Sequence, residues 1–323
     1  MSLLPPPAAP CMDWFGYPQG SSTCSITSIS PATLELAEYT ILHPAGDKKN
    51  RHPIIVSLIR HEPTNSLVLF DLGMSKDWKS YVELPGDDEG KAERLEETYK
   101  PEVAEDVDEV LKRIGVKPEE IKFIVFSHHH FDHTAHSLSP FTQAQIICGP
   151  STLSSLPSLH VSPLLATQST LSLSYHADPS HLLTFKHTYD LFSDGSLILA
   201  STPGHTPGHL AAVIRTSSEE DGQEEYVVLG GDCAHHPLCL SMKVGDEHYR
   251  MGSWKDPHSL TGAFQSMHED YEEAELSLER LKALEKKEEF LVLVAHDFER
   301  WNRWEKGEFG QVELKGWRKR GMK

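Results

Sequence analysis

Ser127-His128-His129-His130-Phe131-Asp132-His133 gathers four imidazoles and a carboxylate into seven residues, directly after the apolar run Ile121 to Phe126. Imidazole nitrogen and carboxylate oxygen are ligands for zinc and other first-row divalent metals. His128 and His130 lie two apart, so on an extended segment both side chains point the same way and can grip one ion. Asp132 and His133 follow where the chain turns toward a helix, which can aim them at a second ion. A histidine-rich loop can equally be solvated, and remote donors in the chain decide between the two readings.

Those donors stand at the ends of further apolar runs. The strand Ser196 to Ser201 runs into Thr202-Pro203-Gly204-His205-Thr206-Pro207-Gly208-His209, where Gly and Pro give a rigid turn that pushes an imidazole out of the strand end. His205 is the third ligand of the first site, and His209 supports the loop. Tyr226 to Leu229 ends in Gly230-Gly231-Asp232, with His235 and His236 just beyond. A carboxylate there, beside glycines that let backbone approach closely, suits a bridge between two cations. The last strand, Phe290 to Ala295, delivers His296 to the second site.

The elements that carry these ends are readable as follows. Residues 1–32 form an irregular arm rich in Pro, Gly and Ser, with Trp14, Phe15 and Tyr17 as a packing anchor. Residues 33–300 form the catalytic domain and 301–323 a solvated basic tail. Alternation predicts strands over Thr33 to Leu42, Pro53 to Arg60 and Ser66 to Phe70. The acidic stretch Asp87 to Glu109 reads as a solvated helix, with Val103, Val107, Val110, Leu111 and Ile114 on one face and Gly115 as its stop. A helix follows with Ala274, Leu278, Leu281 and Leu284 inward. His160, His176, His181 and His187 are read as surface or hydrogen-bonded histidines.

At 323 residues, with 38% hydrophobic and 24% charged residues, the chain is an ordinary globular protein with a large core. Thirty Lys plus Arg against 48 Asp plus Glu leave a formal net charge of -18. That balance disfavours nucleic acid and anionic membranes as partners. No apolar stretch approaches a membrane span, and the opening residues lack a signal-peptide pattern. The five cysteines include no CxxC pair, which fits a reducing compartment, and a cytoplasmic location is expected.

The motifs His128-x-His130-x-Asp132-His133, Thr202-Pro203-Gly204-His205, Gly231-Asp232 and Ala295-His296-Asp297 resemble those of the metallo-β-lactamase fold superfamily, over residues 33–300. The resemblance implies an α/β fold, a four-layer αββα sandwich with two divalent metal ions at one edge. It puts His128, His130 and His205 on the first metal, Asp132, His133 and His296 on the second, and Asp232 between them. Within the superfamily the chain is most similar to the quorum-quenching N-acyl homoserine lactone lactonases, through the same His motif, the phrase Leu69-Phe70-Asp71-Leu72-Gly73-Met74 and the Thr202 to His209 loop. Those lactonases often carry a tyrosine three residues after the bridging aspartate, where this chain has His235.

The chemistry so implied is hydrolysis. Two cations sharing Asp232 hold a water, lower its pKa and polarise a carbonyl. Asp132 moves the proton to the leaving group and His235 contacts the carbonyl, while His236 orients a ligand. Zinc is the favoured metal, with manganese, cobalt and iron suited to similar geometry. The expected substrate is a small lactone or related ester, and a homodimer is compatible with such an enzyme. The same residues would serve a γ-lactam or cyclic-carbamate hydrolase of the benzoxazolinone type, or a glyoxalase II-like thioesterase. A metal-binding scaffold and a di-iron redox protein are disfavoured, because every ligand position is filled and His130 stands where the redox branch expects a carboxylate.

Overall fold

The computed structural model describes residues 13–82, 89–155, 169–173, 180–218, 220, 222–241, 249–255, 264–308 and 310–323. His160, His176 and the first 12 residues of the expected arm lie outside them. Cys24–Ala37 pairs antiparallel with Lys49–His61, which pairs antiparallel with Ser66–Phe70. From there Ile121–Phe126, Gln145–Cys148 and Thr170–Ser172 continue in parallel. Val312–Glu313 and Glu102–Val103 complete this eight-stranded sheet against Cys24–Ala37. A second sheet has six strands in the order Phe290–Leu293, Glu225–Leu229, Leu210–Ser217, Leu197–Ser201, Phe185–Asp190, Ser180–Leu182.

Period-two burial stacks these sheets into layers. Leu197, Leu199, Val227, Leu291 and Leu293 of the second sheet share one core with Ile26, Ile59, Val68, Val125 and Ile147 of the large sheet. Their alternates Ile198, Ala200, Val228, Phe290 and Val292 pack with Ala274, Leu278, Leu281 and Leu284 of the Tyr271–Glu285 helix. The outer face of the large sheet, including Val56, Leu69, Ile124 and Ile146, packs on Val107, Val110 and Leu111 of the Val107–Arg113 helix. The order is helix, sheet, sheet, helix, the αββα arrangement expected. Strands buried on both faces need apolar residues at nearly every position, which is why these runs are continuous rather than alternating.

Four expectations are corrected. The arm does not extend to residue 32, because the first strand begins at Cys24. Cys24 and Ile26 are buried on one face, Ile29 on the other, and a register shift between Ile29 and Ala32 accommodates Pro31. That strand ends at Ala37, where Glu38–Ile41 turns as a short helix. The acidic helix is divided into Lys91–Tyr99 and Val107–Arg113. Lys100 at φ 41° and Pro101 end the first part, and Val103 lies in a strand instead. The tail 301–323 is not a solvated end: Val312, Leu314 and Trp317 are buried in the core between the sheets, a role that the flanking Lys and Arg residues disguise.

The Gly115 stop holds, with φ 83° in the left-handed region. Tyr17 packs among Tyr226 and Phe290 and donates to Glu289 at 2.5 Å, the anchoring role expected of it. Cys24, Cys148, Cys233 and Cys239 are free and buried. No described helix is long and apolar enough to cross a membrane.

Candidate metal centre

The sequence positions its donors by ending strands at one edge. Ile121–Phe126 delivers Ser127 to His133, Leu197–Ser201 delivers His205, Glu225–Leu229 delivers Asp232 and Phe290–Leu293 delivers His296. Because Glu225–Leu229 and Phe290–Leu293 are parallel, Asp232 and His296 leave on the same side. After Phe126 the chain runs through His130 and then makes the single helical turn Phe131–Thr134, which carries Asp132 and His133 and sets the His133 ring 4.3 Å from that of His128. Gly204, at φ 122°, brings the His205 loop so close to the Tyr271–Glu285 helix that a Cβ would sit 2.0 Å from the Ala274 nitrogen.

All seven expected ligands converge in two groups that share Asp232. His128, His130, His205 and Asp232 form one, and Asp132, His133, Asp232 and His296 the other, with donor atoms in each within 4.8 Å of one another. His205 Nε2 lies 3.1 Å from His128 Nε2 and 2.9 Å from His130 Nδ1. Asp232 Oδ2 lies 3.8 Å from His128 Nε2, 3.5 Å from His205 Nε2 and 3.5 Å from His296 Nε2. Asp232 Oδ1 lies 3.3 Å from His133 Nε2, and Asp132 Oδ2 lies 3.3 Å from His296 Nε2.

Neighbouring groups fix which ring nitrogen faces inward. His133 Nδ1 donates to Asp71 Oδ2 at 2.8 Å and His296 Nδ1 to the Pro53 carbonyl at 2.9 Å, so each Nε2 points to the centre. Asp71 also accepts from Ser127 N at 2.7 Å and Ser127 Oγ at 2.8 Å. His209 Nε2 accepts from Asp232 N at 3.0 Å while its Nδ1 faces Thr202 Oγ1 at 2.8 Å, the loop-supporting position expected of it. Gly231, at φ 51°, permits that bond, since a Cβ there would meet His209 Nε2 at 2.7 Å. His236 makes no hydrogen bond to a candidate ligand among the described residues. Its Nδ1 accepts from Leu238 N at 3.1 Å and caps the short Pro237–Leu240 turn.

Burial, together with the neighbouring imidazoles, holds His128 and His205 well below the usual histidine range and His130 down at about 4. The second group behaves oppositely. Burial alone would lower His133 and His296, but the Asp232 and Asp132 carboxylates outweigh it, raising His133 well above its ordinary value and His296 to about 10. The same imidazoles keep Asp132 and Asp232 below the ordinary carboxylate range despite their burial.

The donor set fits divalent metal. Three imidazole nitrogens converge at 2.9 to 3.1 Å although a nitrogen pair needs one proton to bond, and His133 Nε2, Asp232 Oδ1 and His235 Nε2 are buried without a hydrogen-bond partner among the described residues. A tetrahedral metal with nitrogen ligands at about 2.0–2.1 Å has donor edges of about 3.3 Å, close to the separations observed. Buried carboxylates that draw protons onto two imidazoles mark where positive charge belongs.

A cavity of about 460 Å³ opens over these groups, with Asp132, Asp232, His235 and His296 at its floor. Leu34, Leu36, Tyr99, Phe131 and Trp254 give it an apolar wall. Sequence reasoning missed three residues here. Asp71 belongs to the quoted Leu69 to Met74 phrase, but nothing in that phrase assigns its carboxylate to His133. His52 sits in the Lys49–His61 strand with Nδ1 3.1 Å from the His296 carbonyl, and no spacing announces it. His268 packs its ring 5.1 Å from that of His205 and 5.3 Å from that of His235.

The profile of the Metallo-beta-lactamase superfamily matches residues 52–221. A gamma-lactamase of Gibberella moniliformis is 29% identical over 186 residues, spanning 52% of this chain and 71% of that protein. The N-acyl homoserine lactonase AttM of Rhizobium radiobacter is 23% identical over 272 residues, spanning 79% of this chain and 85% of that protein. The crystal structure of B. thuringiensis AiiA with N-decanoyl-L-homoserine bound superposes with a TM-score of 0.60 at 20% identity, covering 88% of this chain and 97% of that one, a likeness of fold.

Proposed function

The chain belongs to the metallo-beta-lactamase superfamily of metal-dependent hydrolases, and from that premise we propose that it opens a lactone ring carrying an apolar substituent. In this reading His128, His130 and His205 would hold one divalent ion and Asp132, His133 and His296 a second, with Asp232 available to both and zinc the expected metal. Such a pair would supply Lewis acidity, activating water near neutral pH and polarising a carbonyl. Asp132 accepts the proton of the attacking water and returns it to the ring oxygen as it leaves. His235, lining the cavity with Nε2 3.2 Å from Asp232 Oδ2, donates to the carbonyl oxygen. Tyr99, Phe131 and Trp254 exclude water and hold the substituent.

The observation that carries this reading is the convergence of seven ligand-type side chains from four strand ends, of which His130, Asp132, Asp232 and His296 line one largely apolar cavity. The test is a panel on zinc-loaded enzyme, comparing a γ-lactone, the matching γ-lactam and a glutathione thioester by acid release. The lactone should give the highest kcat/KM, and activity should vanish with verified metal loss and return on reloading. A thioester preferred over both rings, or turnover that survives complete metal removal, would overturn it.

The γ-lactam reading is favoured by a separate observation. A ring nitrogen is a poorer leaving group than oxygen and needs a proton as the bond breaks. His235 lines the cavity, and His268 sets its ring 5.1 Å from that of His205 and 5.3 Å from that of His235, so two imidazoles beyond the seven ligands stand beside the reaction site. The relative from Gibberella moniliformis is named a gamma-lactamase. Lactam turnover that falls far more than lactone turnover in His268→Phe would favour this alternative.

A further inference from the structure

Asp106, Asp108 and His136 form a polar group apart from the seven donors above. His136 is 3% exposed. Its Nδ1 lies 2.8 Å from the Ser137 carbonyl oxygen, which can only accept, so Nδ1 carries a hydrogen and Nε2 is the nitrogen left to face a partner. That Nε2 has no hydrogen-bond partner among the described residues and faces Asp108 Oδ1 at 3.6 Å. A buried imidazole nitrogen and a carboxylate oxygen that face each other without a hydrogen bond call for positive charge between them. A proton there would draw the pair to about 2.7–2.9 Å, the length of a charge-assisted bond. The observed separation is longer, and it falls within the 3.3 to 3.8 Å range of nitrogen to carboxylate distances at the metal centre.

The surrounding bonds suit a ligand set. The Ser137 carbonyl fixes the tautomer of His136, as the partner of a ligating histidine does. Asp106 Oδ1 is oriented by Lys76 N at 2.7 Å. Asp108 Oδ2 meets Lys112 Nζ at 2.7 Å, leaving Oδ1 to face the imidazole. We propose that Asp106, Asp108 and His136 bind a further divalent cation of the zinc or manganese class, completed by water. Such an ion braces the centre from behind. Asp106 and Asp108 lie at the start of the Val107–Arg113 helix, and His136 follows the Phe131–Thr134 turn that carries Asp132 and His133. The site does not depend on the lactone reading, because none of its ligands belongs to the centre.

The test is metal content after equilibrium dialysis of the full chain against micromolar zinc. Wild type should hold one zinc more than His136→Gln, and Asp108→Asn should show the same loss of one equivalent. Both variants should keep the Asp232-dependent zinc, read by comparison with Asp232→Asn. Circular dichroism establishes that each variant is folded, and two variants of different chemistry guard against one failing. Equal zinc in wild type, His136→Gln and Asp108→Asn overturns the proposal. Zinc unaffected by Asp232→Asn would instead sink the two-ion centre, whatever His136→Gln shows.

Discussion

The two donor groups share Asp232 yet are charged in opposite senses. Around His128, His130 and His205, burial and mutual repulsion keep every imidazole neutral, so lone pairs face inward whether or not an ion is near. Around Asp132, two carboxylates hold protons on His133 and His296, and a cation must displace those protons to enter. The difference teaches that one half is preorganised as a neutral claw and the other as an anionic pocket whose filling is coupled to pH.

The harshest way to break that comparison is to remove what both halves share. Asp232→Asn should cost both groups their common ligand and lower kcat/KM by roughly 10²–10³-fold, the scale seen when a preorganised charge-stabilising group is lost. Metal analysis alongside the kinetics checks it, and a variant that retains full metal and rate would dissolve the distinction altogether. Asp71→Asn strikes the second half hardest, because Asp71 bonds His133 directly and reaches the first group only through Ser127, whose Oγ lies 3.0 Å from His128 Nδ1. Zinc affinity of the second group should fall about 10–100-fold and that of the first by less, read by stepwise zinc titration.

Proton release sharpens the contrast further. Because His296 stands at about 10 without metal, zinc binding at the second group should strengthen by up to about tenfold per pH unit for each proton displaced, across the range below that value. The first group, with His130 near 4, should show no such slope above pH 6.5. Calorimetry in buffers of different ionisation heat separates them, and equal slopes would contradict the assignment of charge. The smallest effect concerns stability. His52 is held down at about 3 by burial, below its unfolded value of 6.5. The unfolded chain therefore takes up the proton first, and stability falls as pH drops from 6.5 toward 3, by up to about 1.4 kcal/mol per pH unit. His52→Gln should flatten that acid limb of a Tm against pH profile.

The candidate centre was more legible than its supports. His128 to His133, His205, Asp232 and His296 are chemically conspicuous because imidazoles and carboxylates seldom end apolar strands without a reason, and their order along the chain matches the order of strand ends. Asp71, His52 and His268 act through partners remote in sequence, and only tertiary packing brings them there. The αββα layering follows from runs such as Tyr226 to Leu229 that are buried on both faces. Cys24 to Ala32 escaped notice because Pro31 reads as a strand breaker while a register shift absorbs it. Pro101 carries the opposite information, a helix break that the apolar spacing around it masks.

Val312–Glu313 covers part of the outer border of the large sheet, lying along Thr27 and Ser28. Cutting the polypeptide before Val312 would strip those residues of their hydrogen-bonding neighbour and uncover the hollow that Trp317 fills. An open, flat border invites a second molecule to add its own strand. Shortened forms should therefore self-associate, and light scattering of a version ending at Gln311 would reveal it even while the catalytic edge stays intact.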